Sequence, residues 1–274
     1  MRIIPTIYLV LVSCVLGQAQ KGYEVGLWLG GAHYFGDLNT TYRLDRPGLA
    51  AGLIGRYNFN NRLSFKMTAG YGRLEARDAD SDNPFQKARN LSFRSHVIDG
   101  TFQIEFNFLP YVHGSDDQFF TPYLSGGLGV YHYNPKTLYQ GNWEPLQPLG
   151  TEGQPIGGEY TLVQPSLVYA FGLKVDVNYH WSINVEVSGR ALFSDYLDDV
   201  STVYPNLIEL EAQRGPLSAA LADRSGEVVA EPIGEAGRQR GNSRNNDSFG
   251  FLTVGIVYYV GTLQCPPMSR PERQ

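Results

Sequence analysis

Four residues in this sequence are candidates for acid–base chemistry: Asp195, Asp198, Asp199 and His33. Neighbouring carboxylates with an imidazole can pass protons, and a barrel enzyme would carry such groups at its extracellular rim. The aspartates also have a structural use. Their oxygens can accept hydrogen bonds from loop N–H groups, and Ser201 and Thr202 can cap a following turn. On that reading Asp195, Tyr196, Asp198, Asp199 and Ser201 order the base of a long loop. No GxSxG nucleophile motif accompanies them.

Other polar groups are weaker candidates. The histidines, His33, His96, His113, His132 and His180, lack HxH or HxxxH spacing, which predicts surface positions rather than a metal or catalytic set. Asp78, Asp80 and Asp82 begin like a calcium loop, but Asn83 and Arg89 stand where that loop needs glycine and an acid. A solvated loop is expected there, and no cofactor is predicted. The net charge of −5 excludes the basic stripe that nucleic acid requires.

A second charged set is spread along the chain: Glu24, Arg56, Lys66, Glu105, Lys174, Asp176, Glu186 and Arg190. Each alternates with apolar neighbours, so each falls on one face of a strand. The clearest case is the fourth predicted strand. Ile98, Gly100, Phe102, Ile104, Phe106 and Phe108 face one way, and Asp99, Thr101, Gln103, Glu105 and Asn107 the other. The stretch Ser248–Thr262 closes the pattern, with Leu252, Val254, Ile256, Tyr258 and Val260 in one register.

The same alternation predicts strands over Gly22–Phe35, Gly48–Tyr57, Leu63–Tyr71, Thr121–Tyr133, Pro165–Val177 and Ser182–Ser194. The chain is 13% aromatic and 18% charged, with 31 Gly and 18 Tyr. A membrane barrel fits that composition better than a lipocalin-like barrel or a soluble sandwich, because alternation hides its lipid face from mean hydropathy. Connections run long, short, long, short. Outer-membrane barrels have short periplasmic turns and long outer loops. The fold class is therefore all-β: an eight-stranded antiparallel transmembrane β-barrel in the cell outer membrane, crossing the lipid bilayer. Its long extracellular loops are Leu38–Pro47, Arg77–Asn90, Asn134–Gly158 and Asp195–Asp247. The last is expected to hold a helix within Pro205–Asp223, broken at Gly215-Pro216. Eight strands leave a lumen that side chains fill, so the inward charges are expected to pair as a polar plug rather than line a pore.

Residues 1–19 read as a signal peptide, with Arg2, an apolar run to Leu16, and Gly17-Gln18-Ala19 at the cleavage site. Leu11-Val12-Ser13-Cys14 also fits a lipoprotein box, which leaves lipidated Cys14 as an alternative. Residues 20–263 are then the barrel and 264–274 a periplasmic tail. The tail carries Cys265, Pro266 and Pro267; its prolines favour an extended strap. A lone thiol in an oxidising compartment makes Cys265 a candidate for an intermolecular disulfide.

Three stretches resemble a known family: GGAHYFGDLN at Gly30–Asn39, ALFSDYLDDVSTVYPNL at Ala191–Leu207, and RGNSRNNDSFGFLTVGIVYY at Arg240–Tyr259. Together they are similar to the PorG-type outer-membrane barrel of the type IX secretion system of Bacteroidota. The resemblance implies a small, non-enzymatic barrel. It implies association with a periplasmic ring lipoprotein and its ring partner, and a need for cargo export and, in gliding species, motility. The ring lipoprotein is then the natural disulfide partner of Cys265. The segment Gly215–Arg240 departs from the family pattern as an insert. A rim-acting enzyme and a stand-alone adhesion or tethering barrel are the alternatives.

Overall fold

The computed structural model describes residues 21–261. The predicted signal peptide, Cys14, and the tail with Cys265, Pro266 and Pro267 lie outside the described residues. The strands are β1 (Gly22–Phe35), β2 (Gly48–Asn58), β3 (Leu63–Arg77), β4 (Ser92–Asn107), β5 (Phe120–His132), β6 (Lys136–Tyr139), β7 (Asn142–Pro145), β8 (Val163–Asp176), β9 (Trp181–Leu192) and β10 (Ser248–Val260). The α-helices are α1 (Pro84–Arg89), α2 (Leu207–Arg214) and α3 (Pro216–Ala222).

Eight of these strands form one antiparallel barrel, in the order β1, β2, β3, β4, β5, β8, β9, β10. β10 returns to pair with β1, from Tyr23 opposite Val260 to Phe35 opposite Ser248. Closure leaves no unpaired barrel edge, which a sheet in hydrocarbon requires. Among the described residues no helix is long and apolar enough to cross a membrane; the strands make the crossing. Leu27, Leu53, Phe102, Leu128, Phe171 and Ile256 all project outward and are more than half exposed, the lipid face of an outer-membrane barrel.

The structure departs from the sequence expectation first at β3 and β4. β3 runs to Arg77 rather than Tyr71, and β4 starts at Ser92 rather than near Ile98. Their alternation continues with its polarity reversed. Within the membrane, Met67 and Phe102 point out while Lys66 and Gln103 point in. Beyond Tyr71, Arg73, Glu75 and Arg77 point out, and Leu74 and Ala76 are buried. The solvent outside has changed from lipid to water, so the face that must be dry has changed too. A search for outward apolar residues ends the strand at this boundary. Second, the loop predicted at Asn134–Gly158 contains the hairpin β6–β7, tied to the barrel where Lys136 pairs with Arg94.

The hydrophobic core therefore sits at the extracellular end. Tyr34, Leu74, Phe93, Val97, Tyr131, Leu192 and Phe249 line the upper barrel, and Leu38, Leu91, Leu146, Leu197, Val200 and Leu221 descend on them from the loops. The last loop carries the expected helix as two pieces, α2 and α3, parted at Gly215.

Candidate functional site

The lumen and the loop cap above it hold the main clusters of buried polar groups among the described residues. In the lumen, strand register sets the neighbours. Glu24 on β1 lies opposite Arg56 on β2, and Arg56 opposite Lys66 on β3. Glu105 on β4 is the hub. It takes Arg56 at 3.0 Å, has Lys66 at 3.9 Å, and bonds the Lys174 ammonium. Arg56 also binds Glu24, which accepts a 2.6 Å hydrogen bond from the Asn58 amide. Lys66 reaches Glu186 at 2.6 Å, and the Tyr123 hydroxyl donates to the same oxygen at 2.6 Å. Arg190 pairs with Asp99 at 2.8 Å. These side chains are nearly all withdrawn from solvent, so each charge depends on its partners.

At the periplasmic mouth the network continues through His113. Its ring lies 3.1 Å from Glu24 and 3.1 Å from Asp176, and stacks on Tyr259 with centroids 4.2 Å apart. This corrects the surface position expected for that histidine: it is buried. Burial opposes its charge, but hydrogen bonds to Asp176 and Glu24 outweigh that and raise its pKa. Histidine spacing could not reveal this, because both partners come from other strands. Above the charges, Trp28 and Phe251 help line a void of about 20 Å³. That is room for about one water.

The loop motif lies under the cap. The Tyr34 hydroxyl sits 2.5 Å from Asp198 Oδ2 and 3.0 Å from Asp247 Oδ1. Asp198 accepts from the Val200 N–H at 2.9 Å, and Asp247 from the Leu197 N–H at 2.9 Å. Burial holds both carboxyls well above the usual range, joined by Asp247 and Asp37 for Asp198 and by Asp195 and Asp37 for Asp247. One of the pair can therefore keep a proton, and the tyrosine hydroxyl need satisfy only one carboxylate. Burial also pushes Asp195 up to about 7. Gly36 is required here: a Cβ on it would run into Asp247 Oδ1 and the Tyr34 hydroxyl.

Asp199 turns the backbone, with φ of +69°, a conformation aspartate tolerates better than most residues. Its carboxylate accepts from the Thr151 hydroxyl and, at 2.7 Å, from the Tyr160 hydroxyl. Burial is the main cause that raises its pKa to about 6. Tyr196 stacks on Tyr160 at 4.9 Å. The Ser201 N–H donates to Glu152 Oε1 at 2.9 Å.

Two buried arginines knit the loops together. Arg240 donates to Glu152 at 3.0 Å, to the Asp199 carbonyl at 2.6 Å and to the Ala222 carbonyl at 3.1 Å. Arg89 grips Asp78 with two bonds of 2.7 and 2.8 Å and donates to the Asp37 and Arg240 carbonyls. All four long loops meet in this layer. Asp78 is thus a buried ion-pair partner, not the solvated group expected from sequence. Arg89, Glu152 and Arg240 went unflagged because each sits in a loop without periodicity.

His33 does not join the aspartates. It lies in the outward register of β1, on the opposite face of the barrel wall from Tyr34. Among the described residues no group of three or more His, Cys, Asp or Glu could hold a metal ion. The arrangement binds loops to one another.

A family model described as "Domain of unknown function (DUF6089)" matches residues 1–211. No curated protein matches the sequence. Several solved structures are similar. Ail, the attachment invasion locus protein of Yersinia pestis, has 12% identity over 88% of this chain and 99% of its own, with a TM-score of 0.42. Neisserial surface protein A has 11% identity over 86% and 96%, with a TM-score of 0.41. The outer membrane protein OprG from Pseudomonas aeruginosa has 11% identity over 89% and 99%, with a TM-score of 0.44.

Proposed function

From the premise that the chain belongs to the DUF6089 family, we propose that it is a non-enzymatic barrel subunit of the type IX protein secretion machinery, acting through its outer surfaces. The observation that carries this reading is a lumen filled by paired charges beneath a mouth covered by four interlocked loops. Among the described residues a lumen so filled leaves no path for cargo. What remains available is the surface. The secretion assignment rests on the resemblance of Gly30–Asn39, Ala191–Leu207 and Arg240–Tyr259 to the PorG-type barrels. On this reading the periplasmic turns and the tail dock the ring lipoprotein and its ring partner to the outer membrane. Cys265 is the site of a mixed disulfide with that lipoprotein.

Deletion of the gene tests it. Loss of many secreted proteins from the medium, restored by the wild-type gene, is the expected result. Unchanged secretion with altered surface lipid or peptide processing would instead favour an enzyme. Unchanged secretion with lost adhesion would favour a tethering barrel.

A further inference from the structure

We infer that the outer wall of β3 and β4, just above the membrane, binds the phosphorylated sugar headgroup of an outer-leaflet glycolipid. The sheet register assembles the surface. Arg73 lies opposite His96, Glu75 opposite Arg94, and Arg94 opposite Lys136 on the β6–β7 hairpin. All of these project outward from the barrel. The Tyr71 hydroxyl and the His96 ring, 2.6 Å apart, mark the top of the lipid belt directly beneath them.

The charge balance of this face is opposite to that of the protein. The chain carries a net −5. Here Glu75 alone is shared by Arg46, Arg77 and Arg94, at 3.7, 2.8 and 2.8 Å. Asp80 is taken by Arg46. Arg73 and Lys136 add further positive charge, and Arg73 Nε, itself buried, has no hydrogen-bond partner among the described residues. At the extracellular ends of β8, β9 and β10 the outward residues are Val163, Pro165, Ala191, Ser248 and Gly250, without charge. The basic face is therefore one-sided.

A groove of about 270 Å³ lies between the wall and the hairpin, lined by Glu75, Arg77, Leu138, Trp143 and Arg224 among others. Trp143 is 40% exposed, and the Arg94 guanidinium stacks 4.1 Å from its ring. Guanidinium groups suit phosphate oxygens, and an indole face suits the apolar face of a sugar ring. The outer leaflet of a bacterial outer membrane presents phosphorylated sugars at this height. The acyl chains of such a lipid would lie along the belt formed by Ile98 and Phe102 below.

The test uses the purified, folded protein in mixed micelles with fluorescent bis-phosphorylated lipid A. Competitors are dephosphorylated lipid A, phosphatidylglycerol and inorganic phosphate. Unlabelled bis-phosphorylated lipid A should compete, and the other three should compete weakly or not at all. The variant Arg73→Gln/Arg77→Gln should weaken binding on the order of tenfold or more. Glu75→Gln, which unmasks three arginines, should bind at least as tightly as wild type. That opposite response separates recognition from damage to the fold, and heat-shifted gel mobility checks folding of each variant. Unchanged binding in the double variant would overturn the inference. So would equal competition by phosphatidylglycerol, which would make the face a general anionic contact, or by inorganic phosphate, which would make it a free-anion site.

Discussion

Tyr34 on β1 and Asp198 in the last loop meet at 2.5 Å, hydroxyl to carboxylate, where the barrel wall ends and the cap begins. The pair joins positions 164 residues apart and stands beside Asp247. Tyr34→Phe keeps the ring packed on Phe93 but removes the donor. Loss of a hydrogen bond to a buried carboxyl costs about 1–3 kcal/mol. Amide exchange at Leu197 and Val200, whose N–H groups bond these carboxyls, should quicken by one to two decades (about 1.4 kcal/mol per decade). Unchanged exchange would mean the hydroxyl does not hold the cap.

The cap carboxyls make the loops sensitive to alkali. Asp199 is raised to about 6 and Asp195 to about 7, with Asp198 and Asp247 raised as well, in each case first by burial. A carboxyl with a folded pKa above its unfolded value keeps its proton longer in the folded state. Its contribution is complete below the unfolded carboxylate range and is lost as pH rises through about 6 to 7. Protease cleavage within the β9–β10 loop should thus be slower at about pH 5 than at about pH 8, after correction for the protease's own profile. A rate that falls with rising pH would contradict the assignment.

Arg240 ties the third long loop to the last. Arg240→Met preserves length but strands Glu152, whose carboxylate also holds the Ser201 and Thr202 N–H groups. Breaking one half of a buried pair costs about 3–5 kcal/mol. The cap should become protease-sensitive while the barrel keeps its heat-shifted gel mobility. Simultaneous loss of both would show that cap and barrel unfold as one unit.

Much of this fold was legible because a membrane barrel repeats one rule, apolar out and polar in, along every strand. Ile98 to Asn107 states that rule completely. The rule fails at Arg73, where lipid gives way to water and the alternation inverts, so the upper third of β3 and β4 was missed. The lumen residues Glu24, Arg56, Glu105 and Lys174 could be placed inward, but not paired. Pairing depends on shear and on which rotamers cross the lumen. His113 and Arg240 were invisible for a related reason: each is buried by partners far along the chain. Residue types alone propose a loop-ordering role for the motif Asp195–Ser201 without naming a partner. Its partners Tyr34, Thr151 and Tyr160 required the three-dimensional arrangement.

Glu105 is the lumen position where one substitution should do most harm. Glu105→Gln leaves Arg56, Lys66 and Lys174 crowded together with one carboxylate fewer. An uncompensated buried charge destabilises by about 3–5 kcal/mol. The temperature at which the barrel loses its folded gel mobility should drop clearly, and Glu105→Gln/Lys174→Met should recover part of the loss. No drop would show that water already screens the network.

Among the described residues this barrel is filled by paired charges and covered by its loops. Planar-bilayer recording of the purified protein tests it most directly. Wild type should show no steady conductance above the bare bilayer, because the Arg56–Glu105–Lys174 layer and the loop cap block the lumen in series. A stable ohmic channel from folded wild-type protein, at either polarity and neutral pH, would contradict it.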